Sequence, residues 1–94
     1  MLTTELYLMD SITIIRPDDW HLHLRDNQAL ETSVPSAARG FGRGIIMPNL
    51  TPPVTKVALA SNYRERILAQ RPKDSDWEPL MVLYLTDNTS PDEI

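Results

Sequence analysis

The chain has 94 residues, 41% of them hydrophobic, enough for one small domain but not two, with roughly 60–65% of its surface buried on folding. A formal charge of −4 lacks the basic patch that nucleic-acid binding needs, and the apolar patch Leu6–Met9 is too short to span a bilayer and lacks a basic leader, so no nucleic-acid or membrane partner and no signal peptide are expected. With no cysteine, disulfides, thiolate metal ligands and a cysteine nucleophile are excluded, a cytoplasmic setting is expected, and any metal must be held by His, Asp, Glu or a lysine-derived oxygen.

In chain order, residues 1–10 read as a leader and 11–94 as the folded unit. The β-branched run Ser11–Ile15 predicts a first strand, interrupted at Arg16–Asp19 because Pro17 offers no ladder donor. Asn27–Arg39 predicts a helix with Leu30, Val34, Ala37 and Ala38 on its buried face. Asp26 or Asn27 caps it, and Pro35 should break or kink it. Gly40–Gly42 is the helix stop and turn. Gly44–Met47 predicts a short strand buried on both faces, ended by Pro48. After the loop Thr51–Val54, Thr55 is the expected N-cap of a helix over Lys56–Arg71, whose apolar stripe is Val57, Ala60, Tyr63, Ile67 and Leu68. Lys73–Glu78 is a polar loop, Leu80–Leu85 a third buried strand, and Ser90 or Asp92 can start a further helix. The order β-α-β-α-β predicts a parallel sheet with crossover helices.

Asp19–Asp26 holds both histidines, one residue apart. If the chain is extended there, Asp19, His21, His23 and Arg25 share one face and Leu22 and Leu24 the other. Two imidazoles about two strand rises apart can grip one metal ion, zinc fitting best, although two ligands do not complete a site. Arg25 on the same face can hold an anion, its planar fork suiting a carboxylate. Asn49 follows the second predicted strand, and Thr86 and Asp87 the third. All three groups therefore fall at strand carboxyl ends, where parallel α/β folds bind ligands.

Each of these signals has a plainer alternative. The histidines can be hydrogen-bonded surface residues. Arg25 can pair with Asp19 or Asp26, and Asn49 can be a turn residue. Trp20 and Trp77 read as packing residues, Tyr63 as core-edge, Arg64 and Arg66 as solvent-facing, Asp74–Glu78 as a solvated loop, and Lys56 and Lys73 as surface charges.

The segments R-P-D-D-W-H-L-H-L-R-D, G-R-G-I-I-M-P-N-L-T-P-P-V-T, Y-R-E-R-I-L and P-L-M-V-L-Y-L-T-D together resemble the N-terminal part of bacterial-type dihydroorotase, an amidohydrolase, over nearly the whole chain after residue 11. The resemblance implies a (β/α)8 TIM barrel, incomplete in this chain, with a two-zinc site at the carboxyl face of its strands. It implies reversible cyclisation of N-carbamoyl-L-aspartate to L-dihydroorotate in pyrimidine (UMP) synthesis, and a homodimer as the full-length state. By position, His21 and His23 match zinc ligands, and Arg25 and Asn49 match residues that bind the substrate carboxylate. The family's bridging carboxylated lysine, later metal-binding histidines and aspartate general base are expected beyond Ile94, so no catalytic residue is assigned within the chain, and the chain alone is expected to be inactive. The alternatives are another cyclic amidohydrolase, hydantoinase- or allantoinase-like, and a non-catalytic interaction module of the same descent.

Overall fold

The computed structural model describes residues 10–94, so all but the last residue of the expected leader lies outside the described residues. Three strands, β1 (Asp19–Leu22), β2 (Arg43–Ile46) and β3 (Glu78–Met81), form one parallel sheet in chain order. Helix α1 (Leu30–Gly40) connects β1 to β2, and α2 (Val57–Ala69) connects β2 to β3. The expected β-α-β-α-β order therefore holds.

The first strand is not where β-propensity put it. Ser11–Ile15 is not a strand, and Ile12, Ile14 and Ile15 are 78%, 67% and 94% exposed. Pairing with β2 starts at Pro17, whose carbonyl accepts from Gly42 N (2.8 Å), and continues with Asp19 opposite Gly44 and Leu22 opposite Ile46. Proline is tolerated where a strand begins, since its missing donor is not yet needed. The first strand consequently carries the first half of the histidine motif, His21 included, and His23 follows it directly.

Gly44 sets how closely the sheet packs. A Cβ there would lie 2.8 Å from Leu22 Cδ2 and 3.3 Å from Trp77 Cζ2. Gly44 and Ile46 are buried, whereas the alternating Arg43 is exposed and Ile45 half-buried. The strand is thus covered on one face, not the expected two. The third strand likewise begins earlier than expected, at Glu78, and Tyr84 and Leu85 are exposed.

Leu24, Leu30, Val34, Ile46, Tyr63 and Ile67 form the centre of the core between sheet and helices. Trp77 joins them fully buried, but Trp20, expected to pack, is 55% exposed with the Arg43 guanidinium 5.3 Å from its ring. Helix α1 passes through Pro35 without interruption. The proline leaves one carbonyl, that of Glu31, without its usual donor, and the buried Val34, Ala37 and Ala38 hold the helix on either side. The two helices are capped from outside themselves. Asp26 accepts from Asn27 N (2.7 Å) at a 3₁₀ turn leading into α1. Lys56, not Thr55, is the N-cap position of α2, with no side-chain bond of its own, and Glu93 Oε2 accepts from Val57 N (2.8 Å) instead. Ser90 caps a final 3₁₀ turn, Pro91–Glu93, as expected. No helix among the described residues is long and apolar enough to cross a membrane.

Candidate functional site at the strand ends

The chain alternates through β1 and the two residues after it, with His21 and His23 exposed and Leu22 and Leu24 turned towards the core. The two Nε2 atoms stand 3.0 Å apart, with ring centroids at 4.9 Å and planes at 61°. Without a cation between them, this contact requires a proton on one Nε2 and a lone pair on the other. Asp19 Oδ1 accepts from His21 N (3.1 Å) and steadies the strand below the pair. Two ligands each about 2.0–2.1 Å from one zinc ion stand roughly 3–3.5 Å apart, so the imidazoles fit a shared zinc. Among the described residues no cluster of three His, Asp or Glu is present, so these residues offer the pair and not a complete site.

The alternation stops at Arg25, whose φ of 63° turns the chain into the left-handed region. Such a conformation is uncommon for a side chain of this size. Its surroundings fix it. Ser33 Oγ donates to the Leu24 carbonyl (2.8 Å), Tyr63 Oη donates to the Arg25 carbonyl, and Ala29 N donates to the Asp26 carbonyl (3.2 Å). Arg25 pairs with neither Asp19 nor Asp26. Asp26 instead accepts from Arg66 Nε (2.9 Å) and Nη2 (2.8 Å), although Arg66 was expected to face solvent. The Arg66 guanidinium also lies 5.4 Å from the Tyr63 ring centroid. The hydrogen bond from Arg66 holds the Asp26 carboxyl below its ordinary value against the opposing effect of burial. Burial, aided by the Asp26 charge, pushes the Tyr63 hydroxyl up to about 12.

Asn49 sits in a loop folded back on itself, with Leu50 N and Val54 N both donating to the Pro48 carbonyl (2.9 Å each), and Met47 N donating to Leu22 O (2.9 Å). The Thr51–Pro52 peptide of this loop is cis. Arg25 and Asn49, 24 positions apart in sequence, thereby line one cleft of about 400 Å³. Its other polar walls are Asp26, Asn27, Thr51, Asn62 and Arg66. Asn62 was not foreseen from sequence and Arg66 was expected only to face solvent; their signal was an i, i+4 polar pair beside the apolar stripe of α2. His21 and His23 do not line this cleft. Thr86 and Asp87 do not join it either: β3 ends at Met81, and Thr86 N closes a local turn on Thr89 Oγ1 (2.8 Å).

The chain is a parallel β-α-β-α-β unit of the α/β class, a class whose ligand sites generally lie at the carboxyl ends of the strands, where Arg25 and Asn49 stand. No family model matches the chain. Its sequence is 66% identical over 86 residues to a dihydroorotase of Aromatoleum aromaticum, covering 92% of this chain and 25% of that protein. Among solved structures, it is similar to a Campylobacter jejuni dihydroorotase (TM-score 0.72, 46% identity, 77% of this chain and 21% of that one). It is also similar to a Saccharomyces cerevisiae dihydroorotase in complex with 5-fluoroorotic acid (TM-score 0.73, 31% identity, 83% of this chain and 21% of that one). In sequence and in fold the chain is similar to one part of these dihydroorotases, and it spans about a quarter of the length of the relatives it matches.

Proposed function

We propose that this chain carries the first metal-binding and the carboxylate-binding elements of a zinc-dependent dihydroorotase, which interconverts N-carbamoyl-L-aspartate and L-dihydroorotate in pyrimidine synthesis. The observation that carries the reading is the convergence of His21 and His23 to 3.0 Å beside a cleft that Arg25 and Asn49 share. His21 and His23 would hold zinc. Zinc bound there would supply Lewis acidity, lowering the pKa of a water and polarising a carbonyl. Arg25 presents two parallel donors to a carboxylate, and the Asn49 amide adds a donor or an acceptor beside it. Together they fix the tail of the substrate so that the reacting carbonyl faces the histidines, replacing a diffusional encounter by a positioned one. The orotic acid derivative held by the yeast relative is itself a carboxylate, which supports this assignment.

The remaining ligands and the general base belong to sequence outside these 94 residues, in a cytoplasmic, homodimeric barrel enzyme. The 94-residue chain alone is expected to turn over nothing. The test is a chimera in which this chain replaces the matching quarter of the Aromatoleum aromaticum enzyme. The expected result is zinc-dependent cyclisation of N-carbamoyl-L-aspartate, with hydantoin and allantoin untouched, and loss of both bound zinc and turnover on His21→Ala or His23→Ala. A folded but inactive chimera, or one that prefers hydantoin, would overturn the reading.

A further inference from the structure

We infer that Tyr63, backed by the Asp26–Arg66 ion pair, is a positioning residue that holds Arg25 in the left-handed conformation used for binding the substrate carboxylate; this rests on the role proposed for Arg25 above. Arg25 is the residue at which the strand ends and the cleft begins, and its backbone stands at φ 63°. Non-glycine residues keep such a conformation only where the surroundings over-determine it. Three consecutive carbonyls, those of Leu24, Arg25 and Asp26, each accept a hydrogen bond, and the central one accepts from Tyr63 Oη. Tyr63 comes from α2, a different element and 38 positions away, and is 1% exposed, so its hydroxyl is held by a packed ring.

Arg66, one turn further along the same helix, grips Asp26 through two bonds and lies over the Tyr63 ring. One helix face thus ties both the residue carrying the strain and its neighbour. Arg25 itself forms no ion pair with any described residue, whereas Arg16, Arg43, Arg64, Arg66 and Arg71 all do. Its guanidinium is uncommitted while its backbone is tightly held, an arrangement suited to receiving an anion. The elevated tyrosine pKa keeps the donor proton in place through the neutral range.

The test compares Tyr63→Phe and Arg25→Gln in the active chimera. Phenylalanine keeps the buried ring and removes only the donor. Loss of one hydrogen bond that acts through substrate binding should raise KM about fivefold and leave kcat within about twofold. A crystal structure of the variant should show Arg25 departing from its left-handed conformation. Arg25→Gln should raise KM further still. If Arg25→Gln raises KM and Tyr63→Phe does not, the positioning role is wrong while the carboxylate reading stands. If neither changes KM, both are wrong. Should Tyr63→Phe fail to fold, Arg66→Gln, which breaks a partly exposed pair, takes its place; because Arg66 also walls the cleft, a KM rise together with departure of Arg25 from its left-handed conformation in the crystal structure supports the inference, and an unchanged Arg25 conformation overturns it.

Discussion

Two imidazole nitrogens 3.0 Å apart need a shared proton or a shared cation, and the spacing of His21 and His23 on one side of an extended segment brings the two rings within reach of each other. Beside them, titration of Asp26 and Tyr63 gives the molecule an acid and an alkaline limit. Asp26 has a folded pKa below its unfolded value of about 3.9. Its pairing with Arg66 therefore contributes stability above that value, and the contribution is lost as pH falls through the folded pKa. Tyr63 runs the other way. Raised from about 10 to about 12, it contributes stability fully present below pH 10 and lost as pH climbs towards 12. Urea midpoints measured across pH should therefore show Asp26→Asn flattening the acid limb and Tyr63→Phe flattening the alkaline one. Limbs identical to those of the unaltered chain would contradict the assignment.

At the scale of elements, β2 depends on the missing side chain of Gly44. Gly44→Ala must displace Leu22 and press on the rigid Trp77 ring, and should cost about 1–3 kcal/mol in unfolding free energy. Helix α2 depends on Glu93, which lies outside the helix. Glu93→Ala removes the acceptor for Val57 N and a negative charge at the helix start, and should cost about 0.5–1 kcal/mol, read as faster hydrogen exchange of the first-turn amides. Both helices, the second strand and the parallel order were legible in the sequence because apolar periodicity is local. The first strand was misplaced because Ser11–Ile15 has the composition of a strand and no partner, whereas Asp19–Leu22 has poor composition and a partner in β2; propensity reports fit to a half-buried surface, not the surface itself. The histidines, Arg25 and Asn49 could be named from residue type and position. The clamp around Arg25 could not be, because Tyr63 to Arg25 and Arg66 to Asp26 are contacts across 38 and 40 positions with no local signature.

Among the described residues the sheet has three strands and therefore two unpaired edges, on β1 and β3, with Trp20 and Leu85 among the exposed apolar side chains. Open ladder edges template pairing with other chains. The 94-residue chain by itself should accordingly self-associate as its concentration rises to the order of 100 µM, and Trp20→Lys should weaken that association. Sedimentation velocity over a dilution series measures it; a monomer throughout would count against open edges in solution.

The strand order bears on how such a molecule is made as well as on how it is held. Because β1, β2 and β3 lie side by side in the order of translation, β2 and β3 each find a partner already synthesised when they emerge. Chains grow at roughly 5–20 residues per second, far slower than a helix or a hairpin forms. The layer can therefore be laid down strand by strand at the ribosome, with α1 and α2 covering one face as they appear, and the histidine-bearing strand is the first of the three to await its neighbour.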